Sequence, residues 1–289
     1  FFTQKGKCYW LKVYEIPEGA KNAKGRAIQN MLNIDADDKV NAFIRVKRLQ
    51  DPEYNMSHNL LFCTRKGVIK KTKLEAYSRP RQNGVNAITI REDDQVIQVR
   101  LTTGDSQIIL ANKHGRAIRF HESTVREMGR MATGVRGMTL DETGDDEVIG
   151  MICIKDPEKE TVMVVSEQGY GKRSEIEDYR ITNRGGKGVK TLNITEKTGK
   201  LVAIKSVTDE NDLVIINKSG ITLRMKVADV RIMGRATQGV RLINLEKRNG
   251  EIASVCKVLS ETEPEPLATE EADMPKTSEG TAPEMTDIN

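Results

Sequence analysis

Aromatic side chains are scarce, with one Trp, six Tyr and five Phe in 289 residues. That shortage argues against a single-strand-binding platform, which stacks successive bases on exposed rings. It also leaves no Trp-Asp dipeptide to recur in each blade of an ordinary propeller. Tyr9, Trp10 and Tyr14 fall in one short stretch, where packing is the expected role. The four cysteines, Cys8, Cys63, Cys153 and Cys256, lie far apart in apolar runs, so neither a metal-binding CxxC pair nor a disulfide framework is present. They are expected to be buried thiols in a reducing cytosol. The three histidines form no HxxxH or HExxH spacing, and no metal site is expected. Nor is there a Ser-His-Asp or Cys-His grouping, or an acidic cluster suited to Mg²⁺. No apolar run approaches a membrane span and the first residues do not resemble a signal peptide, which points to the cytoplasm.

Charge is abundant and unevenly placed. Residues 261–289 carry nine acids against the single Lys276, while residues 1–260 carry 45 Lys and Arg against 33 acids, a net +12 that the whole-chain value of +4 conceals. A basic body implies a polyanionic partner, and a Glu-, Pro- and Thr-rich tail is expected to be disordered. The most concentrated basic stretch is RITNRGGKGVKT at 180–191, in which Arg180, Arg184, Lys187 and Lys190 surround Gly185, Gly186 and Gly188. Glycines let the backbone approach a ligand closely and present successive N–H groups to an anion. The order of Lys187 and Gly188 is wrong for a nucleotide-binding P-loop, and GYGKRS at 169–174 lacks the third glycine and the following helix. The glycine-flanked cations Arg184 and Lys187 are expected to be surface groups, removable without unfolding.

Internal repetition organises the rest. FFTQKGKCYWLKVYEI (1–16), LLFCTRKGVIKKTKLEAY (60–77), IILANKHGRAIRFHESTV (108–125), VMVVSEQGYGKRSEIEDY (162–179) and LVIINKSGITLRMKVADV (213–230) align. Each is an apolar run, a polar turn closed by glycine, and an alternating basic and apolar run, which predicts a β-hairpin with Gly6, Gly67, Gly115, Gly169 or Gly220 in the φ > 0 turn position. A second glycine follows 17 or 19 residues later, at Gly25, Gly84, Gly134, Gly188 and Gly239, in a basic loop that leads to another strand pair. Hairpin glycines are 61, 48, 54 and 51 residues apart, the long first interval containing an insertion around residues 48–58. A period near fifty with four strands per unit predicts an all-β, propeller-like array. Two unrelated β-sandwiches would not generate the paired glycines.

KVYEIPEGAKNAKGRAIQNML (12–32), ESTVREMGRMATGVRGM (122–138), QGYGKRSEIEDY (168–179) and RIMGRATQGVRLI (231–243) carry a resemblance to the C-terminal domain of the type IIA topoisomerase A subunits, and within them to the gyrase A branch. The resemblance covers nearly everything before residue 260. It implies a β-pinwheel over residues 1–259, a disc of six four-stranded blades that exchange strands with their neighbours, followed by the tail at 260–289. The family's Gln-led basic glycine box belongs to the first blade. RGGKG at 184–188 is similar to its core but stands in the next-to-last repeat behind Asn183, so the box is expected upstream and the first blade incomplete.

The implied activity is sequence-nonspecific binding, bending and chiral wrapping of duplex DNA around a basic rim, presenting the transport segment to the enzyme's DNA gate. Its implied partners are the rest of the gyrase A polypeptide and the gyrase B polypeptide in an A2B2 heterotetramer, with the isolated domain monomeric and no membrane involved. The family's cleavage and ATPase sites, with their ATP and Mg²⁺, lie elsewhere, and no cofactor is expected in this domain. A duplex presents a ladder of phosphates that cations at regular intervals can follow without reading bases. The loop cations expected to do so are Lys21, Lys24, Arg26, Arg79, Arg81, Arg130, Arg136, Arg184, Lys187, Lys190, Arg235 and Arg241. Lys70, Lys71, Arg116, Arg119, Lys172, Arg173, Arg224 and Lys226 on the hairpins form a second set. The topoisomerase IV branch of the same family, or a propeller that binds an acidic protein, remains the alternative.

Overall fold

Apolar runs punctuated by glycine turns build five antiparallel sheets in the computed structural model, which describes residues 1–20, 23–142, 144–245 and 250–260. Each repeat contributes a hairpin and a third strand. In the second sheet Asn59–Thr64 pairs with Val68–Lys73 on one side and Val96–Thr102 on the other. The third sheet is built likewise from Gln107–Asn112, Arg116–His121 and Val148–Ile154, and the fourth from Thr161–Ser166, Tyr170–Glu175 and Leu201–Val207. The first sheet uses the shorter Phe2–Thr3, Lys7–Cys8 and Val40–Ala42.

The fourth strand is borrowed. Val85–Asn86, Val135–Arg136, Val189–Lys190 and Val240–Arg241 each close a basic glycine loop and pair with the hairpin of the preceding repeat. The second glycine of each pair explains this economy. A Cβ on Gly134 would lie 2.7 Å from the Ile69 carbonyl oxygen, and one on Gly239 would lie 2.6 Å from that of Gly171. Only a residue without a side chain lets the loop press onto the neighbouring hairpin. All five hairpin glycines have positive φ, as the turn pattern predicts.

Four apolar layers lie between the five sheets. Alternate residues of one strand serve opposite layers: Ile108 and Leu110 join Leu61, Ile69 and Met151, whereas Ile109 and Ala111 join Val162, Val164 and Tyr179. Both faces of the inner strands are therefore buried, which is why residues 162–165 of Thr161–Ser166 are an unbroken apolar run rather than an alternating one. The insertion at 48–58 holds one helical turn, Pro52–Ser57, capped by the Asp51 carboxylate, which accepts from the Glu53 and Tyr54 amides.

The architecture is the strand-exchanged β-pinwheel, with two corrections. Five sheets rather than six are present among the described residues, and the sheet with a missing strand is the fifth, not the first. Among the described residues, Thr222–Lys226, Asn211–Asn217 and Ile252–Leu259 form that sheet without a borrowed fourth strand. Two packing expectations also change. Cys8 and Cys63 are buried, Cys153 is partly so and Cys256 is exposed; Tyr9 is buried whereas Tyr14 is exposed. The acidic stretch 261–289 lies outside the described residues.

Candidate nucleic-acid interface

Each basic loop begins with a 3-10 turn, Leu74–Tyr77, Glu122–Thr124, Ile176–Asp178 or Val227–Asp229, and ends in the borrowed strand. Between these anchors the loop is fastened to the preceding hairpin through its backbone. The Met128, Thr182 and Met233 amides donate to the carbonyls of Lys71, Arg119 and Arg173 at 2.8, 2.9 and 2.8 Å. Successive loops are also stitched to one another. The Thr89 amide donates to Ala132, that of Thr139 to Gly186, and that of Asn193 to Thr237. Arg184 Nη1 reaches the Arg136 carbonyl at 3.0 Å, and Arg235 Nη1 reaches that of Lys190 at 2.9 Å. The loops over 79–86, 126–136, 180–190 and 231–241 consequently form one continuous row.

Cations project from this row at repeat intervals. Arg79, Arg81, Arg136, Lys187, Lys190 and Arg241 are exposed. Arg81 and half-buried Arg130 line two adjoining grooves, the first shared with Lys73 and Arg79, the second with Lys7 and Asn86. Arg241 donates to the Tyr170 hydroxyl and stands over its ring, 5.7 Å from the centroid; this hydrogen bond holds the phenol below its ordinary pKa. Arg184 departs from the expectation of a free surface group. It is half-buried because Nε and Nη1 satisfy the Thr124 and Arg136 carbonyls. Arg126, Arg180 and Arg231 are exposed immediately after successive 3-10 turns. Their recurrence is visible in the sequence, although only Arg180 stands out there, beside the glycines of its loop.

The first loop stands apart. Lys24 and Arg26 are exposed, but Gly25 has nothing within 4 Å of a Cβ position, and no borrowed strand follows it among the described residues. Asn33 beyond it donates to Asn83 of the second loop at 3.0 Å. Lys21 lies outside the described residues.

Most of the hairpin set is corrected by burial. Lys70, Lys71, Arg119, Lys172 and Arg173 are at most 7% exposed. Lys70 Nζ donates to the Ala87 and Arg130 carbonyls at 2.6 and 2.7 Å, and Lys172 Nζ to that of Gly234 at 2.6 Å. These ammonium groups hold the basic loops from beneath, and burial pulls each pKa down to about 8. Lys71, Arg119 and Arg173 instead reach the 3-10 turn of the next repeat, donating to Glu122, Ile176 and Val227 carbonyls at 3.3, 2.8 and 3.2 Å. Trp10 Nε1 makes the corresponding bond to Tyr77 at 3.1 Å. Arg116 brackets the carbonyls of Lys187 and Gly188. Arg224 pairs with Asp212 at 2.8 Å, and Lys226 is exposed. An expected phosphate-contacting set is thus largely an inter-repeat latch.

Fold and site together define a β-pinwheel carrying a row of basic glycine loops. The family model described as "DNA gyrase C-terminal domain, beta-propeller" matches residues 1–47, 58–103, 106–155, 160–208 and 211–256, and the chain belongs to that family. It is 43% identical over 281 residues to the DNA gyrase A protein of Staphylococcus aureus (strain NCTC 8325 / PS 47), covering 97% of this chain and 31% of that protein. Against the gyrase A protein of strain MRSA252 the identity is 46% over 245 residues, covering 85% of this chain and 27% of that protein. Among solved structures, a C-terminal domain of DNA topoisomerase IV matches with TM-score 0.79 and 28% identity, covering 89% of this chain and 78% of that one. A DNA gyrase A C-terminal domain matches with TM-score 0.75 and 25% identity, covering 89% and 81%.

Proposed function

We propose that the chain binds duplex DNA without sequence preference and bends it along the row of basic loops, serving as the DNA-wrapping part of a bacterial, cytoplasmic gyrase. The stitched row carries this reading, because it fixes cations at repeat intervals on a backbone that does not have to order itself when DNA arrives. Bending 20–30 base pairs by 40–90° costs on the order of 1–6 kcal/mol, which contacts to successive phosphates offset. The wrapped duplex is then the transport segment handed to the DNA gate. Cleavage and ATP hydrolysis belong to the rest of an assembly of two gyrase A and two gyrase B polypeptides.

Salt dependence tests the contact mode. Each neutralised phosphate contributes about −0.9 to the slope of log K against log salt, so roughly six contacts give a slope steeper than about −5. A slope shallower than about −2 on a duplex long enough to bend would overturn the proposal. The likeness to the topoisomerase IV domain supports a second reading, in which binding occurs with little wrapping. Topoisomers counted after relaxing a circle in the presence of the chain separate the two: writhe of one sign supports gyrase-type wrapping, a small shift supports the second reading, and an unshifted distribution speaks against both.

A further inference from the structure

Away from the basic row, the third hairpin carries a cluster that no sequence spacing announced. His114 sits at the hairpin apex, and the loop before Val148–Ile154 brings three carboxylates to its ring. Nδ1 lies 3.4 Å from Asp141 Oδ2 and 4.0 Å from Asp146 Oδ1, and Nε2 lies 3.2 Å from Asp145 Oδ1. The side chain of Asp146 is wholly buried. Its Oδ2 accepts from Asn112 Nδ2 at 2.7 Å and from the Asp141 amide at 3.0 Å, while its Oδ1 has no hydrogen-bond partner. A buried carboxylate oxygen left without a donor calls for a specific explanation, of which a bound ion is one.

We propose that His114, Asp141 and Asp146 form a binding site for one divalent transition-metal ion, with Zn²⁺ the best match. The donor atoms of the three side chains lie within 4.8 Å of one another. Zn²⁺ bonds of about 2.0–2.1 Å in a tetrahedron set ligand atoms about 3.4 Å apart. The His114–Asp141 separation already has that value, and Asp146 needs only a small inward shift. The second ring nitrogen supports the assignment. Nε2–H donating to Asp145 leaves the Nδ1 lone pair for the metal, the carboxylate–histidine–metal arrangement that fixes tautomer and ring orientation. Asp145 is itself held by Lys200 Nζ at 2.6 Å. Mixed imidazole and carboxylate donors suit Zn²⁺ or Mn²⁺ better than Mg²⁺ or Ca²⁺, which prefer oxygen ligands.

The other repeats sharpen the case. Lys5 and Lys66 occupy the position of His114 in the first two hairpins, and their backbone amides are capped by Asp38 and Asp94. Gln168 and Ser219 stand there in the last two. A bound ion would fasten Asp141 and Asp146 to the third hairpin, where Lys200 of the fourth repeat also reaches Asp145. The assignment does not rest on the proposed DNA contacts.

Titration of the chelator-treated 289-residue chain with Zn²⁺ tests the proposal, with Co²⁺ as a spectroscopic probe. Expected are one tightly bound Zn²⁺, weak visible Co²⁺ bands without thiolate charge transfer, and no response to Mg²⁺. His114→Gln and Asp146→Asn should weaken Zn²⁺ at least about 100-fold, and Asp145→Asn about 10–100-fold, as for other partners of metal-bound histidines. Cys256→Ser, at an exposed thiol, should change nothing. Undiminished Zn²⁺ binding by folded His114→Gln, its loss in Cys256→Ser, or a thiolate band in the Co²⁺ spectrum of the wild type would each overturn the site. The wild-type spectrum keeps the test decisive even if a variant fails to fold.

Discussion

Arg173 and Arg224 stand at the same place in consecutive repeats, four residues after the hairpin glycine, yet their side chains are 5% and 40% exposed. Arg173 belongs to the fourth sheet, which the Val240–Arg241 strand completes and whose neighbouring 3-10 turn supplies the Val227 carbonyl. Arg224 belongs to the fifth sheet, which has no borrowed strand among the described residues, and its partner is Asp212 of its own hairpin. The residue type is the same; the difference is whether another repeat covers it. Position three after the glycine follows the same rule. Lys172 is buried beneath the 231–241 loop, whereas Leu223 in the fifth sheet is only partly covered.

The turn glycines offer the largest test of that contrast. A Cβ on Gly115 would lie 2.7 Å from the Leu192 carbonyl oxygen, where the strand-exchanging segment crosses the turn, while one on Gly220 meets nothing within 4 Å. Both have positive φ, +75° and +81°. Gly220→Val should therefore lose only the backbone strain of a β-branched residue, about 1–3 kcal/mol. Gly115→Val adds a backbone clash in a packed layer and should cost more than about 4 kcal/mol or prevent folding. Equal losses in urea unfolding would break the comparison.

A smaller effect is expected beneath the loops. Lys172→Met removes a desolvated ammonium but leaves the Gly234 carbonyl without its donor, a cost of about 1–3 kcal/mol that relief of desolvation partly offsets. The pH dependence is more diagnostic than the size. With a native pKa near 8 and an ordinary value near 10.5, the unfolded chain binds more protons between those limits, so the contribution of Lys172 raises stability as pH rises from about 8 to 10.5 and that gain is lost as pH falls. Lys172→Met should flatten this rise. Lys226→Met, on the exposed strand of the fifth sheet, should shift stability by less than about 0.5 kcal/mol. A profile in Lys172→Met that matches the wild type would remove the buried ammonium as its cause.

Much of the fold was legible because its constraints are periodic. Paired glycines marked the hairpin turn and the loop that presses on the preceding hairpin, and unbroken apolar runs marked strands buried on both faces. Recurrence misled where it was read as a binding signal. Lys71, Arg119 and Arg173 recur because each must reach a carbonyl of the next repeat, and a carbonyl partner leaves no mark in the sequence. Burial next to Thr72, Phe120 and Ser174 follows from the neighbouring sheet rather than from local polarity. The five aligned repeats match the five sheets, and the expectation of six came only from the family resemblance; a borrowed strand of two residues such as Val189–Lys190 has no pattern of its own. His114 and Asp146 are 32 positions apart and meet only because Gln107–Asn112 pairs with Val148–Ile154.

The smallest predicted effect separates two cations of a single loop. Lys187 is exposed, whereas Arg184 is half-buried and donates to the Thr124 and Arg136 carbonyls, so the two play different parts within RGGKG. Lys187→Ala should reduce the salt slope of duplex binding by about 0.9, the contribution of one phosphate, and leave the urea midpoint unchanged. Arg184→Ala should lower stability by about 1 kcal/mol, because two loop carbonyls lose a charged donor. It should also weaken DNA binding beyond a single contact, since the 180–190 loop would lose one of its ties to its neighbour at 126–136 and keep the backbone bonds around Gly185 and Gly186. Identical salt slopes and unfolding midpoints for the two variants would mean that the stitching between loops adds nothing to how the row meets DNA.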